Sequence, residues 1–545
     1  MVKGLRRKSS DARAAPRPLD CARRAASRAI CTRRGSPILI SDAFNPRFAQ
    51  AARRRVGLDF AVAAVAAVTL MAVAAFSAHV FIDGDTNWHV AAGRWILAHR
   101  LVPHTDPFSY TFAGKPWLAH EWLSEVLMAL AWLALGWSGV VLLTGVAAGA
   151  AYAMIAAELR LWLAPPGQVV GLALSFACLA PFLYARPHIL ALPLLVFWTR
   201  GLLAARRGGR APPLALAPLM LVWANLHASF ILGLGLVGPF ALEALVEAKD
   251  RRRALAHWAT FGVAALGFSL ATPNSYQGLI FPFRVLQMTI LPSILEWRAA
   301  NFQQLTPFEG VLLTTLFLGL WRGLKVPPLR LAIVVLLTHM ALQHVRQQAV
   351  LAAVAPLLLA EPFGRALRGA DAWRLAPALS WPDLRRWLPI PMALAVLAVA
   401  AVAGARLASP VVRRDNVNVP VSAMAHVPAA IARLPVFNEY AFGGYLIFKG
   451  VRPYIDGRAD MYGDAFVREY LAVTTGAEPD VDRQFQRWGV RWTILSPRDR
   501  LVSLLEKSPN WRRLYADPFA VVDVAVGPTS AVAAPASPTR AAVQK

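Results

Sequence analysis

Cysteine is nearly missing, with three in 545 residues. Cys21 and Cys31 lie in a basic N-terminal stretch and Cys178 in an apolar run. Their spacings match no metal pattern and leave no disulfide framework. Charge is scarce too, at 16% of residues, and acids are outnumbered by bases, 31 to 57. With 57% hydrophobic residues, this composition excludes a soluble protein of such length. The net charge of +26 invites a nucleic-acid reading, but residues 1–55 hold 15 Lys/Arg against 3 Asp/Glu, so 12 of those charges (15 − 3) sit in one tail. Much of the remainder lies in short loops between apolar runs, with no base-reading motif beside it, so nucleic acid is not an expected partner. No pseudo-repeat of two halves is visible, which speaks against a transporter built from repeats.

What the chain has instead is apolar runs longer than the roughly 18 residues that mark a membrane span. The first, 57–81, carries only Asp59 near its start and His79 near its end. As a helix it is about 37 Å long, enough to cross with some tilt. Further candidate spans are 168–185, 188–206, 212–227, 229–248, 254–272, 307–323, 330–345, 347–361 and 388–408. Basic loops at 205–210, at 249–253, around Arg322, Lys325 and Arg330, and at 362–386 set the orientation, because Lys and Arg are retained on the cytoplasmic side. Parity then requires one crossing near 138–158, preceded by an amphipathic helix on the surface.

The expected fold class is an all-α polytopic membrane bundle of about 11 spans with a small C-terminal extracytoplasmic α/β domain. The expected organisation is a disordered basic cytoplasmic tail at 1–55, a transmembrane domain at 56–408 with its first outer loop at 82–120, an extracytoplasmic domain at 409–526 and a disordered tail at 527–545. In the C-terminal domain Tyr445–Phe448, Arg452–Ile455, Trp492–Leu495 and Phe519–Val524 read as strands, and 463–473 and 478–488 as helices. The expected location is a bacterial inner membrane.

On this topology the polar motifs embedded in apolar sequence all fall on the outer side, where ionisable groups at membrane depth usually mark function. Asp83 and Asp85 follow the first span two residues apart, so in extended chain both carboxylates point the same way. They suit a shared divalent cation, Mg or Mn, or a general base with a supporting neighbour. The plainer reading is a turn at Asp83-Gly84 and a cap by Asp85 on a helix 86–100, whose Trp88, Ala92, Trp95 and His99 form an interfacial stripe. His104, Asp106, His120 and Glu121 offer further ligands or bases in the same loop, though Glu121 also suits a helix N-terminus. Arg186 and His188 flank Pro187; His227, Arg298, His344 and Arg346 lie at other outer ends. Guanidinium groups there suit a phosphate or diphosphate, the alternative being ordinary snorkelling to lipid heads. Asp456, Arg458 and Asp460 alternate in "YIDGRADMYG", either as an acceptor-holding element or as a simple turn.

A basic start, one span and an outer loop with an acidic pair and amphipathic helices resembles the GT-C superfamily of membrane glycosyltransferases. The resemblance rests on "DGDTNWHVAAGRWILAHRLVPHTDPFSYTFAGKPWLAHEWL", "ARPHILALP" and "WANLHASFILG", covers most of 57–408, and points to a bacterial branch whose outer domain resembles "NEYAFGGYLIF…PYIDGRADMYG". It implies transfer of a sugar from a polyprenyl-phosphate donor to a glycan, lipid or protein acceptor. It also implies Asp83 as general base, assisted by Asp85 or Glu121. Displacing a lipid phosphate from an anomeric carbon calls for a base and for cations on the leaving group, which Asp83 and the Arg/His set would supply. Trp88, Trp95, Trp117, Trp122 and Trp297 would stack on sugar faces or, more commonly, form an interfacial belt. The rival expectations are a flippase for lipid-linked sugars and a non-catalytic membrane scaffold.

Overall fold

The computed structural model describes residues 46–368, 389–476 and 481–526. Residues 1–45 of the expected 1–55 tail and the expected tail at 527–545 lie outside these residues, as do most of the basic 362–386 stretch and residues 477–480. Helix α1 (Pro46–Phe76) begins inside the segment expected to be a tail. Then come α2 (Asp85–His99), α3 (Trp122–Leu159), α4 (Pro165–Leu179), α5 (Pro187–Arg207), α6 (Leu219–Leu226), α7 (Phe230–Glu247), α8 (Arg251–Ser269), α9 (Tyr276–Leu286), α10 (Pro307–Trp321), α11 (Pro328–Gln343), α12 (Gln348–Arg368) and α13 (Pro389–Ala408). Proline opens α4, α5, α10 and α11, where its missing N–H costs nothing. Thr306 accepts from the Glu309 amide to cap α10, as Asp250 does from Arg253 for α8.

The chain is a multi-pass membrane protein. Among the described residues, five helices are long and apolar enough to cross: Trp122–Leu159, Pro165–Phe182, Pro187–Arg207, Phe230–Glu247 and Val345–Arg368. Shorter apolar helices cover Phe60–Phe76, Leu214–Leu226, Pro307–Trp321, Pro328–Gln343 and Met392–Ala408, and α8 covers the remaining expected span. Several of these are cut short by proline, as where Pro212, Pro213 and Pro218 delay the start of α6. The long apolar segment from 119 resolves into one element broken at Leu135 and Gly136, where Gly136 takes φ 60°, a backbone region open to glycine.

At the Arg207 end of α5, buried ion pairs tie five helices together. Glu158 of α3, 1% exposed, receives Arg200 and Arg207; Arg206 reaches Glu243 and Glu247 of α7; Arg330 of α11 bridges Glu243 at 2.7 Å and Glu361 of α12 at 3.3 Å. Charges this deep stay only where each has a partner. Arg186 sits at the other end of α5, about 30 Å away at 1.5 Å per residue.

After α13, Arg413 donates to the Phe81 carbonyl and Asn418 to that of Ile82, pinning the chain beside the first loop. The C-terminal residues form a four-stranded sheet of order β1-β2-β4-β3, with β1 Val436–Asn438, β2 Trp492–Leu495, β3 Trp511–Ala516 and β4 Val521–Ala525. Strands β1 and β2 are parallel, with Val436 opposite Trp492; the other pairings are antiparallel. Helices Ala459–Thr474, Val481–Trp488 and Arg500–Glu506 accompany it, the first bent at Gly463. Two expected strands are corrected. Tyr445–Phe448 belongs to α14 (Gly443–Phe448), because a short apolar run does not distinguish a strand from a buried helix. Arg452–Ile455 is irregular, because side chains satisfy its backbone: Asn438 bonds Tyr454 N and Ile455 O, and Thr111 donates to Tyr454 O.

The first loop is built into this lobe. Phe112 packs edge-on against Tyr462 and Phe466, both at 4.9 Å, and the Tyr110 hydroxyl donates to Val436 O.

Candidate functional site

Asp83 follows a short 3-10 turn that closes α1, and Asp85 opens α2. Gly84, not Asp85, occupies the cap position of α2, and no side chain caps it. That corrects the capping expectation, because the Asp85 carboxylate has turned to a stronger partner. The partner is Arg186. Its backbone is extended (φ −132°, ψ 161°), the conformation that a following proline favours, so the side chain leaves the end of α5 toward the first loop. The guanidinium holds Asp83 in a two-point pair, donates to Asp85 Oδ2 at 2.6 Å, and donates through Nη1 to Glu296 Oε1 at 2.6 Å. All three nitrogens are therefore taken up by carboxylates. Burial pushes Asp85 up to about 7, against the pull of Arg186. Burial acts the same way on Glu296, but there Arg186, and then Arg346, prevail and hold it below its usual range.

Beside this cage lies a second group. Glu121 is approached by the Nε2 atoms of His227 at 3.3 Å, His120 at 3.6 Å and His89 at 3.9 Å, and His89 Nδ1 lies 3.6 Å from Glu125. Burial raises Glu121 to about 7 and lowers His89 and His120, which favours their neutral imidazoles. On the far wall Arg346 stands over the Trp297 ring at 4.6 Å, 4.0 Å from Glu296 and 31% exposed. His344 pairs with the Trp297 carbonyl and His188 with that of Phe182.

One cavity of about 1230 Å³ joins these groups. Asp83, Asp85, Glu121, Arg186, His188, His227, His344 and Arg346 all line it, with Trp88, Trp117 and Trp297. Apolar side chains also line it, including Leu192 and Leu195 of α5, Ile231 of α7 and Val285 of α9. Arg298 does not join them. Its guanidinium folds back on the carbonyls of Pro292 and Ser293 and is exposed. Nor do Trp95, stacked on His99, and Trp122, which donates to Asn225. Asp106 turns inward as well, accepting from the Phe108 and Ser109 amides and from Arg458.

The expected divalent-cation site at Asp83 and Asp85 does not fit this geometry, because the Arg186 guanidinium occupies the space between the carboxylates. Among the described residues no group of three or more His, Cys, Asp or Glu is arranged to hold a metal ion.

The lobe supplies the last wall through Tyr440, Gly457 and Asp460. A Cβ on Gly457 would fall 2.0 Å from Asp85 Oδ1 and 3.0 Å from Oδ2. Only glycine lets the backbone come so close. Gly457→Ala is therefore expected to lower stability by about 1–3 kcal/mol, the usual cost of overpacking, and Asp85→Ser in the same chain should recover most of it. Thermal unfolding of the single and double variants checks this. Equal losses with and without Asp85→Ser would show that the contact does not matter. Neighbouring Arg458 is 2% exposed, chelated by Asp456, bonded to Asp106 at 2.8 Å and placed over Trp117 at 4.7 Å. The Asp456-Gly457 segment is thus a built element rather than a free turn.

No protein-family model and no curated protein sequence matches the chain. Solved structures do. The archaeal oligosaccharyltransferase AglB from Archaeoglobus fulgidus, in complex with an inhibitory peptide and a dolichol-phosphate, superposes with a TM-score of 0.50 at 12% identity, over 80% of this chain and 69% of that one. The chain shares the fold of that oligosaccharyltransferase. The apo form of the A. fulgidus oligosaccharyltransferase aligns over the same shares, with a TM-score of 0.46 and 11% identity. ArnT from Cupriavidus metallidurans bound to undecaprenyl phosphate has a TM-score of 0.44 at 14% identity, over 87% of this chain and 99% of that one.

Within this fold several site residues had no signal of their own in the sequence. His89 lies one helical turn after Asp85, and Glu125 one turn after Glu121, spacings that place each pair on one face. Glu296 lies two residues before Arg298, and the acid rather than the arginine enters the cavity. Gly457 gave no signal of its own, because its contact is with a residue far away in sequence.

Proposed function

We propose that the protein is a glycosyltransferase that moves a sugar from a polyprenyl-phosphate carrier to an acceptor hydroxyl on the outer face of a bacterial inner membrane. The observation that carries the reading is the mixed lining of the cavity, which joins a cluster of acids and bases to apolar side chains of α5, α7 and α9. That lining matches a ligand with a charged head and a long hydrocarbon tail. The shared fold supports it, and the AglB structure carries a dolichol-phosphate.

In this reading the leaving phosphate is held by Arg346, whose only ion pair is a long one to Glu296 at 4.0 Å among the described residues, with His188 and His344 nearby. Arg186 is already committed to three acids and cannot take a phosphate without releasing one. The acceptor hydroxyl attacks the anomeric carbon, the bond from that carbon to the phosphate oxygen breaks with its electron pair leaving on the phosphate, and the hydroxyl proton passes to a carboxylate. Both oxygens of Asp83 are held by Arg186, so we assign proton acceptance to Asp85, whose Oδ1 is not bonded to the guanidinium. Asp83 positions the arginine, and Glu121 orients the acceptor. Donor sugar and acceptor class are left to experiment.

A flippase would need to open at both ends, and the buried ion pairs at the Arg207 end oppose that. The test is binding of undecaprenyl phosphate to purified protein, measured by native mass spectrometry. Wild type should bind, and Arg346→Ala should bind at least tenfold more weakly, since charge-assisted phosphate contacts are each worth about 1.5–3 kcal/mol. Equal binding by both would remove Arg346 from the site. No binding by wild type would remove the lipid-phosphate reading.

A further inference from the structure

We infer that Arg186 is a resident cation in what would otherwise be a divalent-metal site, and that this chain holds its acidic cage together without a metal. Two neighbouring carboxylates, Asp83 and Asp85, and a third from a distant loop, Glu296, meet on one cation, and acid clusters of this kind commonly surround Mg or Mn. Here the cation is a guanidinium that directs Nε, Nη1 and Nη2 at the three acids. Side-chain exposure is 14% for Arg186, 12% for Asp83, 25% for Asp85 and 24% for Glu296, so water does little to screen the group.

Two physical facts make the substitution permanent. A guanidinium is not deprotonated in proteins, so the charge is present at every working pH. It is also tethered at the start of α5 by Pro187, so unlike a metal ion it cannot be exchanged or chelated away. The planar fork also fixes carboxylate directions that a point charge would leave free. Asp83 is held at two points and Asp85 at one, leaving Asp85 Oδ1 outside the fork. The arginine thereby sets which carboxylate oxygen is left without a cation.

The inference concerns the cage alone and stands or falls separately from sugar transfer, because its readout is metal binding. The experiment measures Mn2+ binding to the full-length protein in detergent by electron paramagnetic resonance and by the shift in unfolding temperature. Wild type should bind no Mn2+ in the cage and show no Mn2+-dependent shift. Arg186→Ala should bind one Mn2+ per chain and be stabilised by it, and adding Asp83→Asn should abolish both effects. Arg186→Lys keeps a cation in place and should resemble wild type. Stoichiometric Mn2+ on wild type that disappears with Asp83→Asn would overturn the inference, as would a folded Arg186→Ala that binds no Mn2+. Should Arg186→Ala fold only when Mn2+ is supplied, that rescue supports it. Should it fold under neither condition, the wild-type measurement decides.

Discussion

Asp85→Asn is expected to lower the rate of sugar transfer by about 10²–10⁴-fold, the usual loss when a general base is removed, with binding of lipid phosphate nearly unchanged. The amide keeps the size of the carboxylate and still accepts from Arg186 Nη2, so the cage should survive. Asp83→Asn should cost less, since Asp83 positions Arg186 rather than receiving the proton. The pH dependence separates the two. Transfer requires ionised Asp85, and burial sets that group at about 7, so activity should rise with pH through neutrality and fall as pH drops below it. Glu121 titrates in the same region, so Glu121→Gln is the necessary control: it should keep the acidic limb, and Asp85→Asn should flatten it. An acidic limb that survives Asp85→Asn and vanishes in Glu121→Gln would move proton acceptance to Glu121. The glycans made in cells and the rates measured with a lipid-linked donor both report this.

The largest expected stability effect belongs to Arg458→Met. Arg458 is paired with Asp106 and Asp456, whose side chains are fully buried, and the Tyr462 hydroxyl donates to Asp456 as well. Removing the arginine leaves two buried acids without their cation, for which about 3–5 kcal/mol is expected. Because the lock joins the first loop to the lobe, unfolding should also begin there. Chemical denaturation in detergent, with hydrogen exchange of residues 104–117 as a local probe, checks both statements. A variant as stable as wild type, with unchanged exchange, would show that the aromatic packing of Tyr110 and Phe112 suffices.

The parts of the fold readable in the sequence were those set by periodicity and breakers. Long apolar runs gave the membrane helices, and the start of the span expected near 138–158 falls just after the break at Gly136. Of the residues expected around one opening because they fall at one end of successive runs, Asp83, Arg186, His188, His227 and Arg346 line one cavity and Arg298 does not. What the sequence did not show was pairing. Nothing local distinguishes Arg298, which folds back on its own chain, from Arg346, which faces the cavity. Nothing local shows that Asp83 and Asp85 already have their cation, because Arg186 lies 103 residues beyond Asp83. The strands were misread where the ladder partner was replaced by side chains, as Asn438 does for Tyr454 and Ile455. Strand β3 alternates too little in burial to be seen.

The lock between Asp106 and Arg458 spans 352 positions of chain. At ~5–20 residues per second, roughly 18–70 s of synthesis separate the emergence of the two partners. Throughout that interval the first loop has its acids but neither the arginine that neutralises Asp106 nor the glycine that seats Asp85. The membrane helices can insert one by one in the meantime, each on its own hydrophobicity. The reaction chamber is therefore the last thing the chain completes, and it is closed from the end made latest. A half-made chain holds an acidic loop open to water, with no enclosed space in which a sugar could be kept from hydrolysis.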